Sequence, residues 1–414
     1  MPTPDPNALP TPRRDAAHQQ LAAFVAHSLP RYAESRNYDC GPEDHANVST
    51  LSPFLRHRLL LEQEVLQSVL AEHSLSAIEK FVQEVFWRSY FKGWLEHRPE
   101  VWTDYRETTA LLATTLDDDP ELYEKYQAAT AGQTGIDCFD AWTRELEHTG
   151  YLHNHARMWF ASIWIFTLGL PWQLGADYFY RHLLDGDPAS NTLSWRWVGG
   201  LHTKGKRYLA TSQNIAHYTN NRFNPVGQLA TDAPPLTETR EFLAGKIPEL
   251  QSLRDDEPYG LLITEEDCCP ETLLLQGAPV SVLGLVAHGR RSPLPVGEHT
   301  SDFTRGAVAD GLTRAALRFA VDTQLVESSD WTTVLNDWAT QKGVNTIVTS
   351  YAPVGPVAEM VADAHASLRS HNIQLLQIRR RYDTLVWPHA TRGFFKLKKQ
   401  IPGVLHELGL QEPD

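Results

Sequence analysis

The feature that most constrains the fold is a change of hydrophobic period near Asn224. From about residue 15 to 222 the apolar residues recur at helical spacing and strand signals are scarce. "LSAIEKFVQEVFWRSYFKGWLEH" sets Ile78, Val82 and Val85 on one stripe that Phe81 and Trp94 widen, so this helix should be buried on most sides. "DCFDAWTRELEHTG" is amphipathic and stops at Gly150, while "HARMWFASIWIFTLGLP" is nearly all apolar and stops at Pro171. A run of about sixteen residues is a core helix, short of the ~20 that cross a bilayer.

Past Asn224, "NPVGQLATDAPPLTETREFLAGKIPELQSLRDDEPYG" mixes Pro, Gly and charge and reads as an inter-domain connection with one short helix. Then "YGLLIT", "APVSVLGLV", "VNTIVTSYA" and "IQLLQI" form short β-rich runs, separated by helical patterns at roughly 306 to 326, 331 to 342 and 355 to 371. Strands alternating with helices imply a mainly parallel, doubly wound sheet. The expectation is a multidomain α and α/β chain: an all-helical domain over 1–225, a linker over 226–257 and a Rossmann-like α/β domain over 258–406. No GxGxxG or P-loop motif is present to cradle a phosphate in the second half.

Of the 414 residues 42% are hydrophobic and 21% charged, an ordinary globular balance, and the expectation is a soluble, cytoplasmic protein with no membrane partner. The start, "MPTPDPNALPTPRRDAAHQQ", has no apolar signal core and reads as a flexible lead. Cys40, Cys138, Cys268 and Cys269 have no zinc or iron–sulfur spacing and read as reduced thiols, with no metal site. A net charge of −14 opposes non-specific attraction to nucleic acid. Against that, residues 188–231 contain no Asp or Glu, where the chain average would place about five, yet hold Arg196, Lys204, Lys206, Arg207 and Arg222.

"LLDGDPASNTLSWRWVGG" (183–200) carries the densest chemistry. Strand alternation would aim Trp195 and Trp197 at one face and helical spacing would splay them, so both indoles suggest flat objects to be held. Arg157, on an apolar helix, needs an acid such as Asp185, either as a helix-packing salt bridge or as part of a site. Glu84 and Arg88 stand i, i+4 and could pair on a helix surface, although Phe81, Val85, Trp87 and Phe91 leave little solvated face there.

Four blocks, "NVSTLSPFLRHRLL", "FVQEVFWRSYF", "GYLHNHARMWFASIWI" and "ADYFYRHLLDGDPASNTLSWRWVGG", resemble in order the helical FAD-binding domain of DNA photolyases and cryptochromes. They cover about residues 30 to 200. The resemblance implies FAD as cofactor, held by Tyr32, Ser49, Thr50, Leu51, Ser52, Phe81, Arg88, Arg157, Asp185 and Asp187, with Asn191 facing flavin N5. It implies that Glu84, Trp87, Asn154, Met158 and Trp197 hold a flipped-out pyrimidine dimer in UV-damaged DNA. The pair His153–Asn154 is similar to the cyclobutane-dimer class rather than the (6-4) class. Glu84, Asn191, Trp195 and Trp172 are the catalytic candidates, the two Trp as the first members of an electron-transfer chain to the flavin.

The chain departs from that pattern in four places. Tyr151 replaces a usual Trp, and the third Trp of the electron chain has no counterpart in "TTLDDDPELYEKY", where Tyr123 or Tyr126 would have to substitute. After Trp197, "LHTKGKRYLATSQNIAHYTNNRF" is not like the family. The segment "GVNTIVTSYAPVGPVAEM…FFKLKKQIPGVL" resembles the later part of the family's α/β antenna domain, which normally comes first, so the resemblance implies a circular permutation; the antenna chromophore is unspecified. The implied activity is that of a deoxyribodipyrimidine photo-lyase, in which excited reduced FAD lends an electron to a cyclobutane dimer. The alternative is a cryptochrome-like photoreceptor without repair.

Overall fold

The computed structural model describes residues 9–250, 253, 257–275 and 277–410. The first eight residues of the proline-rich lead and five residues of the expected linker lie outside the described residues. Helices come first: α1 (Arg14–His27), α2 (Tyr32–Ser35), α3 (Ser52–Arg56), α4 (Glu62–Glu72), α5 (Leu75–Glu96) and α6 (Glu100–Asp118). They continue with α7 (Pro120–Thr130), α8 (Asp137–Thr149), α9 (Asn154–Ser162), α10 (Trp172–His182), α11 (Pro188–Gly199) and α12 (Ser212–Tyr218).

The sheet follows, with β1 (Gly260–Thr264), β2 (Val282–Val286), α13 (Glu298–Phe319), β3 (Thr323–Glu327), α14 (Trp331–Lys342), β4 (Thr346–Ser350), α15 (Pro356–Ser370) and β5 (Gln374–Ile378). The chain then returns to helix in α16 (Arg381–Val386), α17 (Phe394–Lys398) and α18 (Ile401–Glu407). No described helix is long and apolar enough to cross a membrane. The four cysteines are unpaired.

Local chemistry sets the boundaries. α8 stops where Gly150 takes φ 63°, and a side chain there would strike Leu184, since an added Cβ lies 2.6 Å from Leu184 Cγ. The apolar run expected as one helix to Pro171 is two pieces. After Ser162 the backbone opens into a π turn over Ile163–Thr167, with the Leu168 amide donating to the Ile163 carbonyl, 2.9 Å. α11 starts on an Asp187 side-chain cap, whose Oδ1 accepts from the Ser190 amide at 2.8 Å, with Pro188 as its first residue.

All five strands of the sheet are parallel, in the order β3-β2-β1-β4-β5. Strand alternation divides their side chains. Leu261, Ile263, Val348 and Leu376 join a core with α13 and with the first helices of the chain, whereas Leu262, Ile347 and Leu375 pack under α14 and α15.

β3 is a correction, because its residues fall in the region expected to be helical up to about 326. The helix ends at Phe319, Ala320 turns left-handed at φ 55°, and Thr323–Glu327 forms a half-exposed edge strand with too few apolar residues to announce itself. The expected linker helix is also absent from the described residues. Its chain runs irregularly through Pro234, Pro235 and Pro248, pinned by Leu236 N to Gly199 O (2.9 Å) and Gly245 N to His97 O (2.7 Å).

The carboxyl ends of β1 and β4, where open α/β sheets normally bind ligands, face the helical half. Glu266 approaches Lys92 of α5 (3.6 Å), and the Val354 amide donates to Glu96 at 2.7 Å. The crevice left there has no room for a small molecule.

Candidate functional site

A much larger cavity, about 530 Å³, lies within the helical half, between α2, α3, α5, α9 and α11. Apolar faces of these helices build its walls, and polar residues from the capped turns furnish its donors. It gathers most of the residues expected from the sequence: Tyr32, Ser49, Ser52, Phe81, Glu84, Trp87, Arg88, Asn154, Arg157, Met158, Asp185, Asp187, Asn191, Trp195 and Trp197. Thr50, Leu51 and Trp172 are not on its wall. Thr50 sits at φ 48° with its hydroxyl bonded to Gln20 and to the Ser49 carbonyl, a left-handed turn after which Ser52 also reaches the cavity. Leu51 is buried in the core.

The charged end is organised around the turn Asp185–Gly186–Asp187. Arg157 holds Asp185 with two parallel bonds of 3.0 Å. Burial alone would raise the Asp185 pKa, but Arg157 and the Ser52 hydroxyl outweigh it and hold the carboxyl below its usual range. Asp187 is 1% exposed, with Lys92 and Arg88 each 3.4 Å from its Oδ2. Here too burial opposes ionisation, and Lys92, Arg88 and Arg56 overcome it, so Asp187 stays ionised as their counter-ion.

Arg88 therefore pairs with Asp187 rather than with Glu84, whose partner is Arg36. The surface i, i+4 pair does not form. Gly186 O accepts from Arg56 (2.8 Å) and, from the sheet half, from Arg291 (2.6 Å). A side chain at 186 would collide with Arg291 Nη2 at 2.5 Å and with the Tyr180 and Leu183 carbonyls at 2.9 and 3.0 Å.

Asn191 is oriented by its own amide. Its Nδ2 donates to the Ala176 carbonyl at 2.7 Å, so the amide presents an acceptor, Oδ1, on its other side. Ser190 Oγ and Arg88 Nε, both on cavity-lining residues, are buried without a hydrogen-bond partner among the described residues. Such orphaned groups in a built cavity suit a ligand that brings its own acceptors.

At the aromatic end, Trp87 stacks on Phe394 of α17, with centroids 3.8 Å apart and an 11° interplanar angle, and Trp197 stacks on Tyr208 at 5.7 Å and 26°. Each indole is backed on one face by a second ring. His153 fixes the approach of Arg36. Its Nδ1 accepts from the His155 amide (3.2 Å), so its Nε2–H donates to the Arg36 carbonyl (3.0 Å), and burial pushes its pKa down to about 4, keeping the ring neutral.

Trp195 lines the cavity and packs edge-on against Phe179 (5.1 Å) and Trp164 (6.2 Å). Trp172, off the cavity wall, stacks on Tyr105 of α6 (5.7 Å, 27°). Tyr105 in turn meets Trp102 at 5.3 Å, whose indole N–H donates to Glu359 of α15. Tyr123 is exposed and Tyr126 is bonded by Arg181, so the ring on Trp172 is neither of the two tyrosines expected there.

Sequence reasoning missed Arg36, Ser190, Lys92, Arg56, Arg291 and Phe394. Two carried a signal: Arg36 is four residues beyond Tyr32, and Lys92 four beyond Arg88, so each falls on a helical face already implicated. The acid-free window is less basic in space than in sequence. Arg196 pairs with Glu238, Arg207 with Asp232 and Arg222 with Asp39, leaving Lys204 and Lys206 without an acid among the described residues.

Residues 81–264 match the family described as the FAD binding domain of DNA photolyase. A deoxyribodipyrimidine photo-lyase of Thermus thermophilus is 34% identical over 230 residues, 55% of this chain and 52% of its own. One from Agrobacterium fabrum is 33% identical over 296 residues, 70% of this chain and 54% of its own. The crystal structure of a bacterial class III photolyase from Agrobacterium tumefaciens aligns over 50% of this chain and 43% of its own, with 27% identity and a TM-score of 0.43. The chain spans about half the length of the curated relatives it matches. Over residues 81–264 the chain therefore matches the FAD binding domain of DNA photolyase, and it is similar to deoxyribodipyrimidine photo-lyases over about half of their length.

Proposed function

We propose that the protein is a light-dependent DNA-repair flavoprotein, a deoxyribodipyrimidine photo-lyase that splits cyclobutane pyrimidine dimers. The observation that carries this reading is a single cavity with paired Arg–Asp charges and an oriented amide at one end and two backed indoles at the other. A bound FAD supplies the light absorption and the electron lent to the dimer.

The residues present fit that cofactor. Tyr32, Ser49, Ser52, Ser190 and Arg88 offer donors for its phosphates and ring edges, and Asn191 Oδ1 offers an acceptor that suits a ring nitrogen carrying hydrogen. Arg157 and Asp185 neutralise each other and keep that end rigid; Asp187 is the counter-ion of Arg88 and Lys92. Thr50 and Leu51 act through the turn that presents their neighbours.

On the substrate side, Trp87 and Trp197 offer flat faces to a flipped-out dimer while Asn154, Met158 and Glu84 line its edge. Arg36 holds the Glu84 carboxylate in place, so an acceptor is fixed where the exocyclic groups of a base would donate. Trp195 and Trp172 are read as the electron path to the cavity, continued by Tyr105. The helical region 1–225, linker 226–257 and sheet region 258–406 are read as a circularly permuted order of the family's two parts.

A second reading, a cryptochrome-like photoreceptor, draws support from the net charge of −14 and from the ion pairs that consume most cations of the acid-free window. One assay separates the two. The reduced, FAD-loaded protein is mixed with a dimer-containing oligonucleotide and repair is compared in blue light and in darkness. Repair only in light is expected, and Glu84→Ala should lower it at least tenfold with FAD content unchanged. A normally loaded protein that repairs nothing leaves the receptor reading; loss of FAD in the variant would make Glu84 a structural residue.

A further inference from the structure

The sheet half of the chain backs the aromatic end of the cavity through α17. Phe394 is 3% exposed and lies flat on Trp87, while the next residue, Phe395, is 73% exposed. Among the described residues no large aromatic side chain is more exposed. The same stretch, "TRGFFKLKKQ" (391–400), is basic. Lys398 is tied to Glu79 at 2.9 Å, but Arg392, Lys396 and Lys399 are exposed and have no acidic partner among the described residues.

The contrast with the rest of the molecule is informative. The chain carries −14, and the cations of the acid-free window are mostly spent on Glu238, Asp232 and Asp39. The segment around α17 keeps three unpaired cations and an exposed ring together. Helical spacing explains the division of labour: Phe394 and Leu397 point inward, and Phe395, Lys396 and Lys399 lie on the outer side. At ~1.5 Å per residue the outer cations stand within roughly 10 Å of the ring that backs Trp87.

We propose that residues 391–400 form a docking ridge for the DNA strand that flanks the lesion, resting on the reading of the cavity as a dimer site. Arg392, Lys396 and Lys399 take backbone phosphates, Phe395 stacks on a neighbouring unpaired base, and Phe394 holds the plane of Trp87. The occupant is a nucleic acid strand rather than a protein because the ridge joins cations to an exposed ring and continues from a cavity whose own walls are indoles. The ridge also gives the sheet half a part in substrate binding.

The test is the salt dependence of binding, measured on the full-length, FAD-loaded protein with dimer-containing and undamaged oligonucleotide duplexes. Lys396→Gln/Lys399→Gln should weaken both complexes about tenfold and lower the slope of log K against log[salt] by roughly 1 to 2, because each phosphate contact contributes about 0.9. The ratio of damaged to undamaged affinity and the FAD content should not change, since phosphate contacts position without reading the lesion. Lys342→Gln/Arg369→Gln, on the α14 and α15 side of the sheet, is the control and should leave the slope as it is. Wild-type binding with the same slope in the ridge variant overturns the ridge and leaves the repair reading standing. Failure of the loaded wild type to bind either duplex overturns both.

Discussion

Asp185 and Arg157 show what a single pair does in this molecule. The aspartate side chain is 5% exposed and the guanidinium 23%, and the two bonds between them join the start of α9 to the turn before α11. Truncation of one partner leaves the other largely desolvated and unpaired, which costs more than the pair itself contributes. Asp185→Ala is therefore expected to destabilise the fold by about 3 kcal/mol, the lower end for a broken buried pair because Arg157 keeps some solvent. The protein should also purify with less than half the FAD of the wild type. Urea unfolding and the flavin-to-protein absorbance ratio check both, and an Asp185→Ala protein with unchanged FAD content would show that the pair serves packing alone.

At the scale of elements, α5 carries most of the design. Its outer turns give Glu84, Trp87 and Arg88 to the cavity, and its last turn gives Lys92 and Glu96 to the seam with the sheet. Glu96 accepts from the Tyr351 hydroxyl at 2.6 Å and the Val354 amide at 2.7 Å. Burial pushes its pKa up to about 7, and these two bonds only partly oppose it. The folded chain thus holds a proton that the unfolded chain releases near its ordinary value of 4.5. The stability this group supports is complete below about 4.5 and is lost as pH rises through about 7, a change of roughly 3 kcal/mol at most.

Glu145, pushed up to about 8 by burial, works in the same direction. Urea midpoints should consequently fall between pH 5 and 8, and Glu96→Gln, which retains an acceptor for Val354 and a donor for Tyr351, should flatten the lower part of that fall. An unchanged profile in the variant would assign the dependence to other groups.

The same elements show what the sequence revealed and what it hid. The block 183–200 was legible because its cap, its alternate indoles and its acids are all local: α11 starts on Asp187, Asn191 lies one turn in, and Trp195 and Trp197 splay as helical spacing requires. Phe394 and Arg291 were not legible, because they back the cavity and its supporting turn from the sheet half, one of them about three hundred residues from Trp87 and the other 105 from Gly186. β3 escaped for the opposite reason, an edge strand being the place where apolar pattern is weakest. Tyr105 escaped because its role lies in what it touches, and nothing in its neighbourhood of α6 separates it from an ordinary core tyrosine.

The whole molecule is less divisible than its two hydrophobic periods suggest. One continuous core takes in Leu21, Phe54 and Phe81 from the first helices together with Ile263, Val308 and Trp387 from the sheet half. Buried ions cross the same seam, with Arg58 on Asp383 at 2.7 Å and Arg56 on Glu266 at 2.7 Å. Separating the halves would expose these apolar side chains, at about 1.5–3 kcal/mol each, and strand several charges. The connecting segment adds less by comparison, being irregular and held to the helical half by a few backbone bonds and by ion pairs such as Arg196–Glu238. A chain cut at an engineered protease site beside the exposed Lys246 should therefore remain one particle of unchanged mass, with both fragments present and FAD retained. Size-exclusion chromatography with light scattering reads this directly. Fragments that elute apart, with FAD on the helical piece, would show instead that the cofactor domain stands alone and that the seam is a docking contact.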